Sequence, residues 1–315
     1  MTKFYQAVFS EIIAGDIIVI DGAIGTELQR RDVPMRQRAW CALATESHPE
    51  TLRSIHEDYI DAGARIVTAN TFASTREVLE PLGLGNKFVS LNRRSVELAV
   101  EARERSSSQK PVLVAGSISH TRPARVGRWS PEHSDLAKFE ADCTEMAEIH
   151  KAAGCDLILA EMMGDSDFTP CVIRAAKFND LPVWVGLSAM QRSDGVLGTY
   201  TTEAVPFEEV LEPIVAAGGD VMGVMHTKAE LTKPALKLLK RHWSGPLMAY
   251  PDSMPYRQKE SDKISLNHVM SEDVFVDHCL SWLNVGVQVL GGCCGLTISH
   301  IASLSERLRM EGRYI

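Results

Sequence analysis

No window of the chain offers the eighteen consecutive apolar residues that a membrane-spanning helix needs. The first twenty residues carry Glu11 and Asp16 where a secretory signal requires an unbroken apolar stretch. A soluble protein that is not exported is therefore expected, with a cytoplasmic location. Blocks of Lys or Arg are also missing: 33 basic residues stand against 41 acidic ones, for a formal net charge of −8. That balance gives no electrostatic footprint for a nucleic-acid backbone or an anionic membrane, so neither is expected as a partner. Cysteine is sparse as well. Seven in 315 residues are too few for a disulfide scaffold and cannot all pair, so a reducing compartment and free thiols are expected. No Gly/Ser/Pro-rich linker divides the chain, which predicts one domain over residues 1–315. The sequence leaves open whether that domain forms a homo-oligomer.

What the chain does contain is a series of short, β-branched apolar runs. They are IIVIDG at 17–22, RIVTAN at 65–70, VLVAGS at 112–117, LILAEM at 157–162, VWVGLS at 183–188, VMGVMH at 221–226, LMAYP at 247–251 and VQVLGGCC at 287–294. Near-continuous apolar runs suit parallel strands buried on both faces, and each has room after it for a helix. In one connecting segment Ser47 and Glu50 read as a capping box, and Leu52, Ile55 and Tyr59 recur at helical spacing before Gly63. Another helix is predicted over 134–153, with Phe139, Met146 and Ile149 on one face ahead of Gly154. Eight strands alternating with helices predict a single (β/α)8 TIM barrel, with a doubly wound open sheet as the alternative. In such a barrel the active site gathers at the C-terminal ends of the strands. The polar residues there are Asp21, Asn70 with Thr71, Ser117, Glu161, Ser188, His226, Asp252 and the pair Cys293–Cys294.

The last run ends in GGCCG at 291–295, two adjacent thiols between glycines that let the backbone bend. A catalytic zinc takes three protein ligands and leaves a fourth position open, so two cysteines need a partner. His226 closes the sixth run, two strands around the barrel from the eighth, and completes a Cys2His set. An arbitrary cysteine pair is more often two small buried residues or a vicinal disulfide, but the flanking glycines and the strand-end position point to a metal here; His226 could equally be a hydrogen-bonded structural histidine.

Taken together, DGAIGTEL at 21–28, HPETLRSIHEDYIDAGARIVTANTF at 48–72, VAGSI at 114–118, LAEM at 159–162 and GGCCG at 291–295 followed by His300 resemble the homocysteine S-methyltransferase family, nearly end to end. The resemblance implies zinc-dependent transfer of a methyl group from a small donor to the thiol of homocysteine, forming methionine. It implies metal binding by Cys293 and Cys294, and recognition of the amino acid by Asp21 and Glu161, the expected catalytic carboxylates. Gly22, Asn70 and Gly292 complete the expected substrate-binding set, with backbone N–H groups near Gly292 offered to a carboxylate. The alternatives are a zinc methyltransferase acting on another thiol or a selenol, and a barrel that binds a metal or an amino acid without turnover.

The chain also departs from the family's pattern. Where relatives carry a GVNC-like ending, it reads GVMH at 223–226, so His226 stands in place of the third cysteine. Three thiolates on Zn²⁺ sum to −1, whereas two thiolates and a neutral imidazole sum to 0. A YPN-like ending appears as Tyr250-Pro251-Asp252, and the loop after VAGSI reads SHTRPARVGRW. Methionines 162, 163, 190, 225 and 254 make an apolar pocket possible, although methionine is commonly core filler. Trp40 and Trp184 could face that pocket, but core packing is expected for both. His56 and His150 are expected to be packed structural histidines, and Cys41, Cys143, Cys155, Cys171 and Cys279 show no ligand spacing.

Overall fold

Each of the eight apolar runs forms a strand, and nearly every residue of those strands is buried, as expected where helices cover one face and a filled interior the other. The computed structural model describes residues 1–35, 39–120, 135–200, 205–253 and 269–313. In chain order the elements are α1 (Lys3–Ala14), β1 (Ile18–Val19), α2 (Ile24–Arg30), α3 (Ala44–Ser47), α4 (Pro49–Asp61), β2 (Ile66–Thr68), α5 (Arg76–Leu79), α6 (Phe88–Arg105), β3 (Leu113–Ser119), α7 (Leu136–Ala152) and β4 (Leu157–Met163). There follow α8 (Phe168–Phe178), β5 (Val183–Leu187), β6 (Ala189–Gln191), β7 (Leu197–Thr199), α9 (Leu211–Ala217), β8 (Val221–Lys228), α10 (Ala229–His242), β9 (Leu247–Asp252), α11 (Glu272–Leu283), β10 (Val287–Leu290) and α12 (Ile298–Met310).

Eight strands pair in parallel in the order β1-β10-β9-β8-β5-β4-β3-β2. The ring closes between β1 and β2 through a parallel bridge from Ile20 to Ile66. Two backbone bonds make that seam: Asp21 N donates to Ile66 O at 3.0 Å, and Arg65 N donates to Val19 O at 2.7 Å. This is a (β/α)8 barrel, and the doubly wound alternative falls because an open sheet has no such seam. The small antiparallel hairpin β6–β7 sits in the connection between β5 and β8, and the apolar runs gave no sign of it.

Inward residues such as Ile20, Ile66, Leu113, Leu159, Val221 and Val289 fill the barrel. Helix α1 stoppers the lower end by inserting Tyr5, Val8 and Ile12 into that cluster. Trp184 belongs to this plug, since its Nε1–H donates to the Tyr5 hydroxyl at 3.2 Å, far from the upper rim. Among the described residues, no helix is long and apolar enough to cross a membrane.

Local signals mostly translate directly. Helix α7 starts at Asp135, whose carboxylate accepts from the Ala137 and Lys138 amides, and Gly154 follows its end at φ 100°. The capping box over Ser47 and Glu50 does not form. Ser47 instead ends α3 with its hydroxyl donating to Leu43 O, Glu50 pairs with Arg53, and α4 opens on Pro49, whose fixed φ suits the first helical position.

His56 and His150 are fully buried, as expected, and burial pushes their imidazoles down to about 4 and about 3. His150 reaches from α7 to Asn92 Oδ1 of α6 at 3.1 Å. Its ring lies against β3 at Gly116, where a Cβ would stand 2.3 Å from Nδ1. Gly116→Ala is therefore expected to cost roughly 1–3 kcal/mol by overpacking, with a lower midpoint in urea unfolding.

Candidate active site

The upper ends of the strands bring the polar residues together, and the backbone there departs from regular strand geometry in two places. Along β8, Val221 and Met225 face the barrel interior while Met222 and Val224 face the helices. Strict alternation would send His226 outward with them. Its left-handed backbone, φ 43°, and a register shift between Met225 and Lys228 against β9 redirect the ring to the mouth. Met162, beside Glu161 on β4, has the same unusual conformation at φ 55°.

Cys293 and Cys294 follow β10 on a tightly held loop. Gly292 N donates to Asp21 O at 3.1 Å, Cys293 N to Pro251 O at 2.9 Å, and Ser253 N to Cys294 O at 3.0 Å. Gly295 N reaches Thr26 Oγ1 at 3.1 Å. The flanking glycines serve close approach: a Cβ on Gly291 would lie 2.4 Å from Ile20 Cγ2, and one on Gly292 2.5 Å from Leu296 Cβ.

The loop places Cys293 Sγ 3.5 Å from His226 Nδ1 and 3.9 Å from Cys294 Sγ. All three ligand atoms lie within 4.8 Å of one another. A tetrahedral ion with bonds of ~2.3 Å to sulfur and ~2.0 Å to nitrogen needs sulfur–sulfur edges of ~3.8 Å and sulfur–nitrogen edges of ~3.5 Å. The two edges that meet at Cys293, 3.5 and 3.9 Å, match those lengths, and the third is no longer than 4.8 Å. Among the described residues this is also the one cluster of three or more His, Cys, Asp or Glu side chains able to hold a metal. Hydrogen bonding from Cys293 holds the Cys294 thiol well below the usual thiol range, with help from the His226 charge, while Cys293 is pushed up as the proton-bearing partner. The other cysteines are free and buried.

Two carboxyl groups accompany the cluster. Glu161 accepts from Ser117 Oγ at 2.5 Å, and burial pushes it up to about 7. Asp21 accepts from Thr68 N at 2.6 Å and Thr68 Oγ1 at 3.0 Å, and burial pushes it up to about 8. Their charges act on each other, so an ionised pair needs a cation between them.

Other expected ligand contacts are occupied by the protein itself. The Asn70 amide donates to Cys41 O at 2.9 Å and accepts from Cys41 Sγ at 2.9 Å, holding the loop after α2 in place. Gly22 makes room for packing, since a Cβ there would lie 2.6 Å from Leu296 O and 2.8 Å from the Tyr59 hydroxyl. Gly292 cannot offer its N–H to a carboxylate because Asp21 O already accepts it. His300 closes a capping box with Thr297 at the start of α12.

Sequence reasoning missed a polar network under the site. Met225 Sδ accepts from Met162 N and from Ser188 Oγ, both at 3.2 Å. Met225 and the Tyr250 hydroxyl both pack over Gly186, where a Cβ would stand 2.6 Å from each. That hydroxyl is buried beside Glu161, whose carboxyl it helps to hold down against the effect of burial. Tyr200, just past the unforeseen hairpin, meets the His226 ring edge to face at 5.1 Å between centroids. Trp40 and Phe72 pair at 6.2 Å, and Trp40 lies over Gly25. The 119–135 loop falls largely outside the described residues, as does Met254.

A (β/α)8 barrel that gathers two cysteines able to hold a metal with a histidine, and two proton-holding carboxyl groups, at its C-terminal mouth has the layout of a barrel enzyme with a polar catalytic mouth. The comparisons narrow that class. Residues 18–308 match the homocysteine S-methyltransferase family. The selenocysteine Se-methyltransferase of Brassica oleracea var. italica is 26% identical over 324 residues, covering 93% of this chain and 89% of the relative. The homocysteine S-methyltransferase of Escherichia coli (strain K12) is 26% identical over 306 residues, covering 93% and 95%. In fold, the metallated form of the E. coli homocysteine methyltransferase MmuM superposes with a TM-score of 0.77 at 23% identity, covering 97% of this chain and all of that one. The chain belongs to the homocysteine S-methyltransferase family, and it is a methyltransferase.

Proposed function

We propose that this chain, as one barrel domain, is a zinc-dependent enzyme that moves a methyl group from a small cationic donor to the thiol of homocysteine, forming methionine. The observation that carries this reading is the Cys293–Cys294–His226 triangle, whose two edges at Cys293 suit a tetrahedral zinc with one position left for the acceptor sulfur. When bound, the metal keeps that sulfur as a thiolate at neutral pH.

The protein's own groups supply the remainder. Asp21 and Glu161 receive the acceptor's ammonium, which favours the ionised form of both carboxyl groups and orients the amino acid. Ser117 and Thr68 hold the carboxylates in place. The acceptor sulfur then forms a new bond to the methyl carbon as the donor's bond to that carbon breaks. The bonding electron pair leaves with the donor, which becomes neutral.

With His226 in place of a third thiolate, the ligand set is one negative charge poorer and the bound sulfur less electron-rich. A donor with a good leaving group, a sulfonium or betaine-like cation, compensates. The aromatic rings of Tyr200, Phe72 and Trp40 around the mouth suit such a cation. In competition among S-methylmethionine, betaine and methyltetrahydrofolate, the zinc form loaded with homocysteine is expected to turn over a cationic donor fastest. Preferential turnover of the folate would overturn the donor assignment. His226→Cys is expected to retain zinc and to raise the relative rate with the poorer leaving group.

A selenol acceptor is the second reading, favoured by the similarity to the selenocysteine Se-methyltransferase of Brassica oleracea var. italica and the selenocysteine methyltransferase of Astragalus bisulcatus. Paired kcat/KM values for homocysteine and selenocysteine separate the two.

A further inference from the structure

Strand β4 carries a bulge where it reaches the mouth. Ala160 pairs with Val185 of β5 and Met163 with Leu187, so Glu161 and Met162 together face the single residue Gly186. Such a bulge takes a peptide group out of the strand ladder. Here that group is the amide joining Glu161 to Met162: Met162 has a left-handed backbone at φ 55°, and its N–H donates to Met225 Sδ at 3.2 Å. Met225 belongs to β8, on the far side of β5, so its side chain crosses β5 inside the barrel to reach β4. Gly186 leaves that crossing open, since a Cβ there would stand 2.6 Å from Met225 Cγ. Met225 is fixed at both ends. Ser188 Oγ donates to its sulfur at 3.2 Å, and Thr227 Oγ1, which accepts from Ala189 N at 2.8 Å, donates to Met225 O at 2.8 Å.

We propose that Met225 is a positioning residue for Glu161, its sulfur accepting the hydrogen bond that the bulged peptide gives up in the sheet. A left-handed conformation is unfavourable for a side chain as large as methionine and persists only where its surroundings over-determine it. A buried N–H with nothing to donate to would add to that cost. The Met225 sulfur removes the second cost and so holds the bulge in its shape. Glu161 stands on the other side of the same peptide bond. Its carboxyl accepts from Ser117 Oγ at 2.5 Å and has to meet the ammonium of the amino-acid substrate from a fixed height in the mouth. Leucine would fill the space of Met225 but offers no lone pair, so the role belongs to the sulfur.

This inference rests on Glu161 receiving that ammonium, so the experiment separates the two claims. The KM for homocysteine is measured on the full chain in a double-mutant cycle, with zinc content matched across the variants because Met225 adjoins His226. Met225→Leu is expected to raise KM by ~5–20-fold while Glu161 is present, the effect of one buried N–H left without a partner. In the Glu161→Gln background the same change is expected to raise it by less than about twofold, because the charged contact that Met225 aligns is gone. No rise with Glu161 present, or an equal rise in both backgrounds, overturns the role of Met225. An unchanged KM in Glu161→Gln alone overturns both claims, whereas a raised one beside an indifferent Met225→Leu overturns only this one. Met225→Gln brings a carboxamide oxygen to the Met162 N–H and can donate its own NH2 to Ser188 Oγ, so it is expected to keep KM within about threefold of the parent. A rise as large as that of leucine overturns the proposal, and thermal melts show that each variant is folded.

Discussion

Replacing Cys294 with serine is expected to release the metal and to lower methyl transfer by at least ~10²-fold, with the barrel intact. Cys294 is the sulfur already biased toward its ionised form by the hydrogen bond from Cys293 and by His226, and a serine hydroxyl offers no comparable anion. A free thiol with a pKa of ~8.5 is only ~3% ionised at pH 7, so losing metal-driven ionisation alone costs ~30-fold, about 2 kcal/mol. The rest of the loss comes from alignment, because an acceptor sulfur that is no longer anchored cannot be held in line with the methyl group and its leaving group. Elemental analysis after gel filtration and chromatographic assay of methionine check the two halves separately. Retained stoichiometric metal with an unchanged rate would sink the ligand assignment. The fold is expected to survive because the strongest anchors of this loop are backbone bonds, which serine keeps.

Glu161→Gln is expected to raise the KM for the amino-acid acceptor by roughly 10²-fold, the worth of one buried charge-assisted contact of about 2–3 kcal/mol. The donor KM is expected to change little. The pH dependence should change with it. Burial raises Glu161 to about 7 and Asp21 to about 8, above ordinary values near 4, so the proton is retained in the folded protein. The stability that these protonated groups contribute is complete below the unfolded values and is lost as pH rises through 7 to 8. The ligand-free protein is therefore expected to melt at a lower temperature as pH is raised from 6 to 9. The acceptor's ammonium selects the ionised pair, so its binding is expected to tighten over the same interval, and Glu161→Gln to flatten both trends. An acceptor KM that does not move in the variant would remove Glu161 from the recognition site.

Much of this arrangement is legible in the chain because it rests on local chemistry. The eight β-branched runs announce strands buried on two faces, and their number and spacing favour a barrel. The residues at their ends then locate the mouth, which is how Glu161, Asp21, His226 and the cysteine pair are found together. Gly291 and Gly292 are visible as a place of close approach, although the structure shows packing against Ile20 and Leu296 where bending was expected. Asn70 shows where the same reasoning stops. Its position at a strand end suits a ligand contact, but a loop residue distant in sequence, Cys41, takes up its amide. Gly292 is similar: an N–H is present in the sequence, while its acceptor, Asp21 O, arrives from the opposite end of the chain.

The sequence by itself favoured the barrel over an open sheet and named the three candidate metal ligands, since periodicity and residue type reach that far, while its resemblance to the family singled out the two acidic groups. Only the tertiary structure decided whether His226 reaches the cysteines, because alternation along β8 points it outward and a left-handed φ with a shifted register reverses that. It also decided that Met225 accepts two hydrogen bonds beneath the site and that Trp184 plugs the far end of the barrel. Those outcomes depend on which backbone groups of neighbouring strands meet once the ring closes, and closure is a property of the whole sheet.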